Sequence, residues 1–298
     1  MKITYDRSEN EWQKTLTDEN RKKVAKSWLE KGTLDRWRHN RMLECIIPLI
    51  KREEEWLTVG DGRYGTDANF IISNGGKAHA SDVSDTLLKI GSEKGFIKEY
   101  SQQNAEKLSF SDESFDYVLI KEALHHVPRP WVAVYEAFRV SRKGVILIEP
   151  SDEPNLGIRK TCFNYLKNFF KRIKNIEVNN QLYGFEPVGN FVSRINKQEI
   201  EKFLLGMHYT NVAFNGLNDY YLEGFEFIPF KGGSNKEKMI VKNALNRINF
   251  RNLITHLGFV NYGMLRAILF KQEPEKTLVS KLINKNWEFR QLPKNPYI

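Results

Sequence analysis

Gly60, Gly62, Gly65 and Asp82 are the residues of this chain whose types and spacing point most directly to chemistry. The glycines lie in the run GDGRYG, directly after WLTV, and Asp82 ends the run KAHASD. Glycine lets a backbone turn sharply and approach a ligand with no Cβ in between. The helix expected after such a loop directs free N–H groups at an anionic group. A carboxylate one strand–helix–strand unit later can accept both hydroxyl hydrogens of a ribose. Together these residues form a cradle for a nucleoside-bearing cofactor. The G-x-G-x-x-G spacing also belongs to nicotinamide and flavin enzymes, so the loop alone leaves the cofactor open. Asp61, inside the loop, has two readings: a turn residue bonded to its own backbone, or a neighbour of a cationic group on the ligand.

Alternating strands and helices must position these groups. Strands are expected at Trp56–Val59, Lys77–Asp82, Gly95–Glu99, Phe115–Ile120 and Gly144–Ile148. Helices are expected at Thr66–Ser73, Ser84–Ile90 and Pro130–Val140, which implies a parallel sheet covered on both faces. Before the sheet, residues 8–31 read as an amphipathic helix with Trp12, Leu16, Val24, Trp28 and Leu29 on its apolar side, ended by Gly32. Thr33 then caps a second helix carrying Leu34, Trp37, Met42, Leu43, Ile46 and Ile47. Beyond Pro150 the alternation breaks. A helix over 158–174 precedes an irregular stretch with Gly184, Pro187 and Gly189. Further helices, NKQEIEKFLLGM and NKEKMIVKNALNRINFRNLITHL, are interleaved with the strands TNVAFNG and MLRAILF.

The 298 residues suit one large α/β domain or one domain with an elaboration, and 41% hydrophobic with 28% charged is ordinary for a soluble protein. No uncharged apolar run reaches the ~18 residues of a membrane span. The polar start MKITYDRSENEW has no signal-peptide core, so a cytoplasmic location is expected. Cys45 and Cys162 lie far apart without metal-ligand spacing, so no metal and no disulfide framework are expected. The net charge of +9 favours anionic partners, or serves solubility alone.

The block from Trp56 to Pro150 resembles class I S-adenosylmethionine-dependent methyltransferases, of the subgroup related to ubiquinone-biosynthesis methyltransferases. The specific support is NAEKLSFSDESFDYVLIKEALHHVPRP, which matches the subgroup at Ala105, Glu106, Leu108, Phe110, Phe115, Asp116, Leu124, His125 and His126. The resemblance implies a Rossmann-like, mostly parallel seven-stranded sheet with helices on both faces. It implies an N-terminal helical cap (1–54), a cofactor-binding core (55–150) and a C-terminal acceptor-binding elaboration with helical insertions (151–298). It implies S-adenosylmethionine as cofactor, bound by Gly60, Asp61, Gly62, Gly65, Asp82, Val83, Asn104, Ala105, Glu106 and Lys121. Two positions depart from the subgroup's acids. Thr58 stands two residues before the first glycine, and Asn104 precedes Ala-Glu, where its carbonyl oxygen would meet the adenine amine as a neutral partner. The side chain of Glu106 also reads as a solvated loop acid. Lys121 either recognises an anionic acceptor or is exposed to solvent.

His125 and His126 are the candidate acid/base residues, since an imidazole titrates near neutral pH and a hydroxyl acceptor benefits when a base takes its proton. The alternative is a histidine that packs structurally under the next helix. His125 comes first, being nearer the strand end. The acceptor expected is a small, sugar-like, anionic hydroxyl compound, such as a surface-glycan or lipid-linked precursor. The segment IRKTCFNYLKNFFKRIK is basic and amphipathic. Its apolar stripe is expected to pack on the core, and the other use of such a helix is peripheral contact with an anionic membrane. DNA binding is not expected, and nothing sets the oligomeric state. An RNA methyltransferase, a catalytically silent cofactor-binding protein and a nicotinamide oxidoreductase are the rival readings.

Overall fold

A computed structural model describes residues 17–154, 157–173, 184–185 and 191–297. In the first half of the chain, β1 (Glu55–Val59), α3 (Thr66–Ser73), β2 (Lys77–Asp82), α4 (Thr86–Glu93), β3 (Glu99–Gln102), β4 (Phe115–Lys121), α5 (Pro130–Val140) and β5 (Ser141–Pro150) alternate after two helices, α1 (Glu19–Ser27) and α2 (Leu34–Leu43). The second half supplies α6 (Ile158–Ile173), α7 (Lys197–Gly206), β6 (Asn211–Leu217), α8 (Asn235–His256), β7 (Met264–Phe270), α9 (Lys276–Ile283) and β8 (Glu288–Gln291).

All eight strands form one sheet in the order β3-β2-β1-β4-β5-β7-β6-β8. The pairs from β3 through to β5 are parallel, while β7 runs antiparallel to both β5 and β6. The expectation of seven strands needs one addition: β8 pairs antiparallel with the outer side of β6. The strand is short and polar (EFRQ), so it carries no hydrophobic run by which to recognise it.

Side-chain alternation divides the central strands between two cores. Trp56, Tyr117, Leu119, Ile146 and Ile148 join α2, α3 and α9 on one face. Leu57, Val59, Val118, Ile120, Val145 and Leu147 join α5 and α7 on the other.

Several expected boundaries move. The third strand is Glu99–Gln102, not Gly95–Glu99. Gly95 takes φ +71 just after α4, and Ile97 is buried in the core, so extended pairing starts only at His79↔Glu99. The first helix ends at Ser27 rather than near Gly32, and Trp12 and Leu16 lie outside the described residues. Thr33 does cap α2, accepting from the Arg36 N–H at 3.1 Å. That helix gives way to a 3₁₀ segment, Glu44–Leu49, which contains Pro48; a proline lacks the N–H that an α-helix would need there. Pro187, Gly189 and Lys174 lie outside the described residues. The stripe of α6, expected on the core, is exposed at Ile158, Leu166 and Ile173. Among the described residues, no helix is long and apolar enough to cross a membrane.

Candidate functional site

The carboxyl ends of β1, β2 and β4 border a cavity of about 510 Å³, where open parallel sheets hold ligands. Of the residues singled out in the sequence, Gly60, Asp61, Gly62, Asp82, Val83, Ala105, Lys121, His125 and His126 line it. Gly65, Asn104 and Glu106 do not.

The loop after β1 is fixed by hydrogen bonds before any ligand is considered. The N–H groups of Gly60 and Asp61 both donate to the Ser81 carbonyl, at 2.9 and 3.0 Å. Gly60 has φ +79, and a Cβ there would lie 2.2 Å from the Ala123 Cβ, so only glycine fits between β1 and the turn after β4. Gly65 starts α3 at φ +72, where a Cβ would meet Ile97; its role is packing. Tyr64 is also left-handed, φ +59, and its buried ring sits against Ala25 and Leu87.

Asp61 turns inward. Its carboxylate accepts from the Asp67 and Ala68 N–H groups at 3.1 and 2.9 Å and from the Thr58 hydroxyl at 2.9 Å. It therefore caps α3, which corrects the expectation that this helix turns free N–H groups toward a ligand. Burial, then the neighbouring Asp67, pushes the Asp61 carboxyl up. Asp82 Oδ1 accepts from Ser84 N at 3.0 Å while the residue stays on the cavity wall. The Ser84 bond closes a turn ahead of α4, whose N-cap is Asp85. Burial raises the Asp82 carboxyl to about 6, so it is mostly ionised at neutral pH.

The loop after β3 departs from expectation. Asn104 Oδ1 accepts from Glu106 N at 2.8 Å, which closes a turn, and Gln103 and Ala105 reach the cavity instead. Glu106 is not solvated. Its buried carboxylate accepts from Arg129 N, Nε and Nη2 at 2.7, 2.8 and 2.6 Å, and so braces this loop against the start of α5.

Lys121, at the end of β4, is buried rather than exposed. Its Nζ lies 3.3 Å from Asp67 Oδ1 and 3.1 Å from His39 Nδ1. His39, from α2, is a cavity residue the sequence did not announce. Burial, then Lys121, Arg63 and Arg38, holds its imidazole well below the usual range, so it is neutral. Arg63 Nη1 stands 2.6 Å from His39 Nε2. A guanidinium and an ammonium can only donate, so Arg63 at Nε2 and Lys121 at Nδ1 compete for the single acceptor nitrogen of the neutral ring, and Glu122 Oε2 stands 3.5 Å from Nδ1. Arg63 also stacks on Trp28, 4.7 Å from the ring centre. Glu122 adopts φ +49, a sparsely populated conformation for a non-glycine residue, held by its N–H bond to the Ile148 carbonyl.

His125 and His126 form a 3₁₀ turn after β4, with ring centres 3.9 Å apart. His125 Nδ1 is 2.6 Å from Glu149 Oε2, and Glu149 is fully buried. The other oxygen of Glu149 accepts from the Ala123 and Leu124 N–H groups, both at 2.9 Å. The carboxylate thus anchors the turn and orients the ring. Nδ1–H donates to Glu149, which makes Nε2 the basic nitrogen of His125. Glu149 was missed in the sequence, although an acid ending the apolar run GVILI was its visible signal.

The sequence profile of the methyltransferase domain matches residues 57–148. The chain is 33% identical over 114 residues to a demethylmenaquinone methyltransferase of Anoxybacillus flavithermus, covering 34% of this chain and 47% of that one. It is 32% identical over 111 residues to a ubiquinone/menaquinone biosynthesis C-methyltransferase of Sinorhizobium fredii, covering 35% and 43%. The chain therefore spans about half the length of the curated relatives it matches. Among solved structures, it is similar to the YcgJ protein of Bacillus subtilis, at 19% identity, TM-score 0.46 and coverage of 79% of this chain and 100% of that one. It is also similar to a magnesium protoporphyrin IX methyltransferase of Synechocystis, at 10% identity, TM-score 0.45 and coverage of 78% and 84%. The cofactor of the matched domain is S-adenosylmethionine. The site suits it: a buried, ionisable Asp82 ends β2, a loop that admits only glycine at position 60 borders the same cavity, and the volume is that of a cofactor site.

Proposed function

We propose that this chain, whose residues 57–148 belong to the class I S-adenosylmethionine-dependent methyltransferase domain of the ubiquinone and menaquinone type, methylates a hydroxyl of a small, sugar-like acceptor with His125 as base. The observation that carries the reading is His125 on the wall of the cavity that also holds Asp82, with the buried Glu149 carboxylate behind its ring. S-adenosylmethionine, when bound, supplies an electrophilic methyl carbon on a positively charged sulfur.

The chain's own residues do the rest. Asp82 accepts the ribose hydroxyl hydrogens, while Gly60, Gly62 and Val83 bring backbone close to the ligand and Gln103 and Ala105 flank the base. Nε2 of His125 takes the acceptor's proton as the new bond forms. Glu149 holds the ring in the required tautomer and stabilises the imidazolium that results. Trp28 and His39, from the N-terminal helical region, border the cavity and keep water out. Arg63 is the cation that an anionic acceptor meets first. Alignment of acceptor and methyl is worth up to about 7–11 kcal/mol, and the base adds a factor of ~10²–10⁴.

A second reading has an observation in its favour: the named relatives act in quinone biosynthesis, the second of them as a C-methyltransferase. There the same base removes a ring-hydroxyl proton, the adjacent ring carbon takes the methyl group, and that carbon then gives up its own proton to restore the aromatic ring. Labelled methyl transfer into a cell extract, followed by the ¹³C shift of the product methyl, separates the two. His125→Ala tests both: undiminished turnover at neutral pH excludes the base role.

A further inference from the structure

The surface formed by α6 and the end of α8 lies outside the cavity. The side of α6 that meets the body of the protein is mostly polar. Lys160 Nζ is 2.6 Å from Asn261 Oδ1, Arg159 donates to the Leu257 carbonyl at 3.3 Å, and Phe163 adds a ring contact, 5.8 Å from Phe259. The apolar stripe faces away. Ile158, Tyr165, Leu166 and Ile173 are 84, 79, 58 and 62% exposed. At 100° per residue they fall within about 100° of arc, and exposed Cys162 falls among them. α8 extends the row. Phe250, Leu253 and Leu257, spaced i, i+3 and i+7, are 63, 54 and 44% exposed, and the Arg159–Leu257 bond sets them beside α6.

Charge selects the occupant. The sequence of α6 has five cations, Arg159, Lys160, Lys167, Lys171 and Arg172, and no acid. Along α8 the one acid, Glu237, is engaged in the helix cap, while toward the end of the helix Arg247 lies over the Tyr220 ring and Arg251 donates to Asn218, so the positive charge of this face rests on α6. We propose that this face seats the protein on a bilayer surface rich in anionic lipid, with α6 lying in the interface. A bilayer accepts an exposed apolar row to a depth of about 5–10 Å and attracts the flanking cations. A second copy would bring like charge against like charge, and a nucleic acid would leave the apolar row uncovered.

Cys162 lies on the stripe and Cys45 is buried, so a polarity-sensitive fluorophore labels the former selectively in the folded chain. The labelled protein is mixed with phosphatidylcholine vesicles, alone or with about a third phosphatidylglycerol. The expected result is a blue shift and co-flotation with the anionic vesicles only, both fading as salt is raised. Unlabelled Tyr165→Glu/Leu166→Glu protein should float with those vesicles at least about tenfold less than wild type. Its melting temperature and S-adenosylhomocysteine affinity should be unchanged, because the stripe touches neither core nor cavity. Failure of the wild type to bind anionic vesicles overturns the proposal, as does wild-type vesicle binding by the double variant. Concentration-dependent dimers without vesicle binding assign the face to a second copy instead; RNA binding without vesicle binding overturns it equally.

Discussion

His125 Nδ1 and Glu149 Oε2 lie 2.6 Å apart, joining the turn after β4 to the end of β5 through a carboxylate with no solvent exposure. The two residues are 24 positions apart and meet only because β4 and β5 are parallel neighbours. Removing the imidazole and removing its orienting acid should therefore have related but unequal effects. His125→Ala should lower methyl transfer by ~10²–10⁴. Glu149→Gln keeps the size but offers a single carbonyl oxygen, so the ring and the two N–H groups compete for it. Its turnover should fall, with its pH profile displaced, while S-adenosylhomocysteine affinity stays near wild type. Single-turnover rates across pH 5–9 check both variants, over a range chosen to span the imidazole's usual titration.

Gly60 offers a second, independent test. Alanine there must place a Cβ 2.2 Å from that of Ala123 and adopt φ +79. Gly60→Ala should destabilise the protein by about 1–3 kcal/mol. Adding Ala123→Gly removes the clash but not the backbone strain, so the double variant should recover part of the loss. Urea denaturation of the single and double variants measures this.

The burial of Asp82 has a consequence for stability. Its folded pKa, about 6, lies above the ordinary carboxylate value of 3.8. The folded state therefore prefers the protonated form. That preference contributes stability below about pH 4, and the contribution is lost as pH rises through about 6. Asp82→Asn should therefore raise apoprotein stability at pH 7 by about 1–3 kcal/mol, with little gain at pH 4. Ligand binding runs the other way, since ribose hydroxyls need the ionised acceptor. Affinity for S-adenosylhomocysteine should fall as pH drops below 6 in the wild type. Thermal melts and titrations at pH 4, 6 and 7 check both signs.

Much of this site was legible because local signals agree. Gly65 and Pro130 open α3 and α5 where the sequence places them, and Asp82 closes a strand read from KAHASD. What failed has physical causes. β3 is polar and mostly half-exposed, so its apolar neighbour Ile97 drew the strand too early. Asn104 and Glu106 fit a cofactor motif by type, but their hydrogen bonds brace the loop. His39 reaches Lys121 across 82 positions through a helix docked on the sheet, a contact no local pattern encodes. The periodicity of α6 correctly announced an apolar stripe, but periodicity names no partner, and that stripe faces outward.

Calorimetric titration of the purified protein with S-adenosylhomocysteine at pH 7, beside Asp82→Asn, tests the central claim most directly. Saturable one-to-one binding by the wild type, lost in a variant that remains folded, is the predicted result. A wild type that binds nothing, or an Asp82→Asn protein with an unchanged dissociation constant, would contradict the assignment of this cavity.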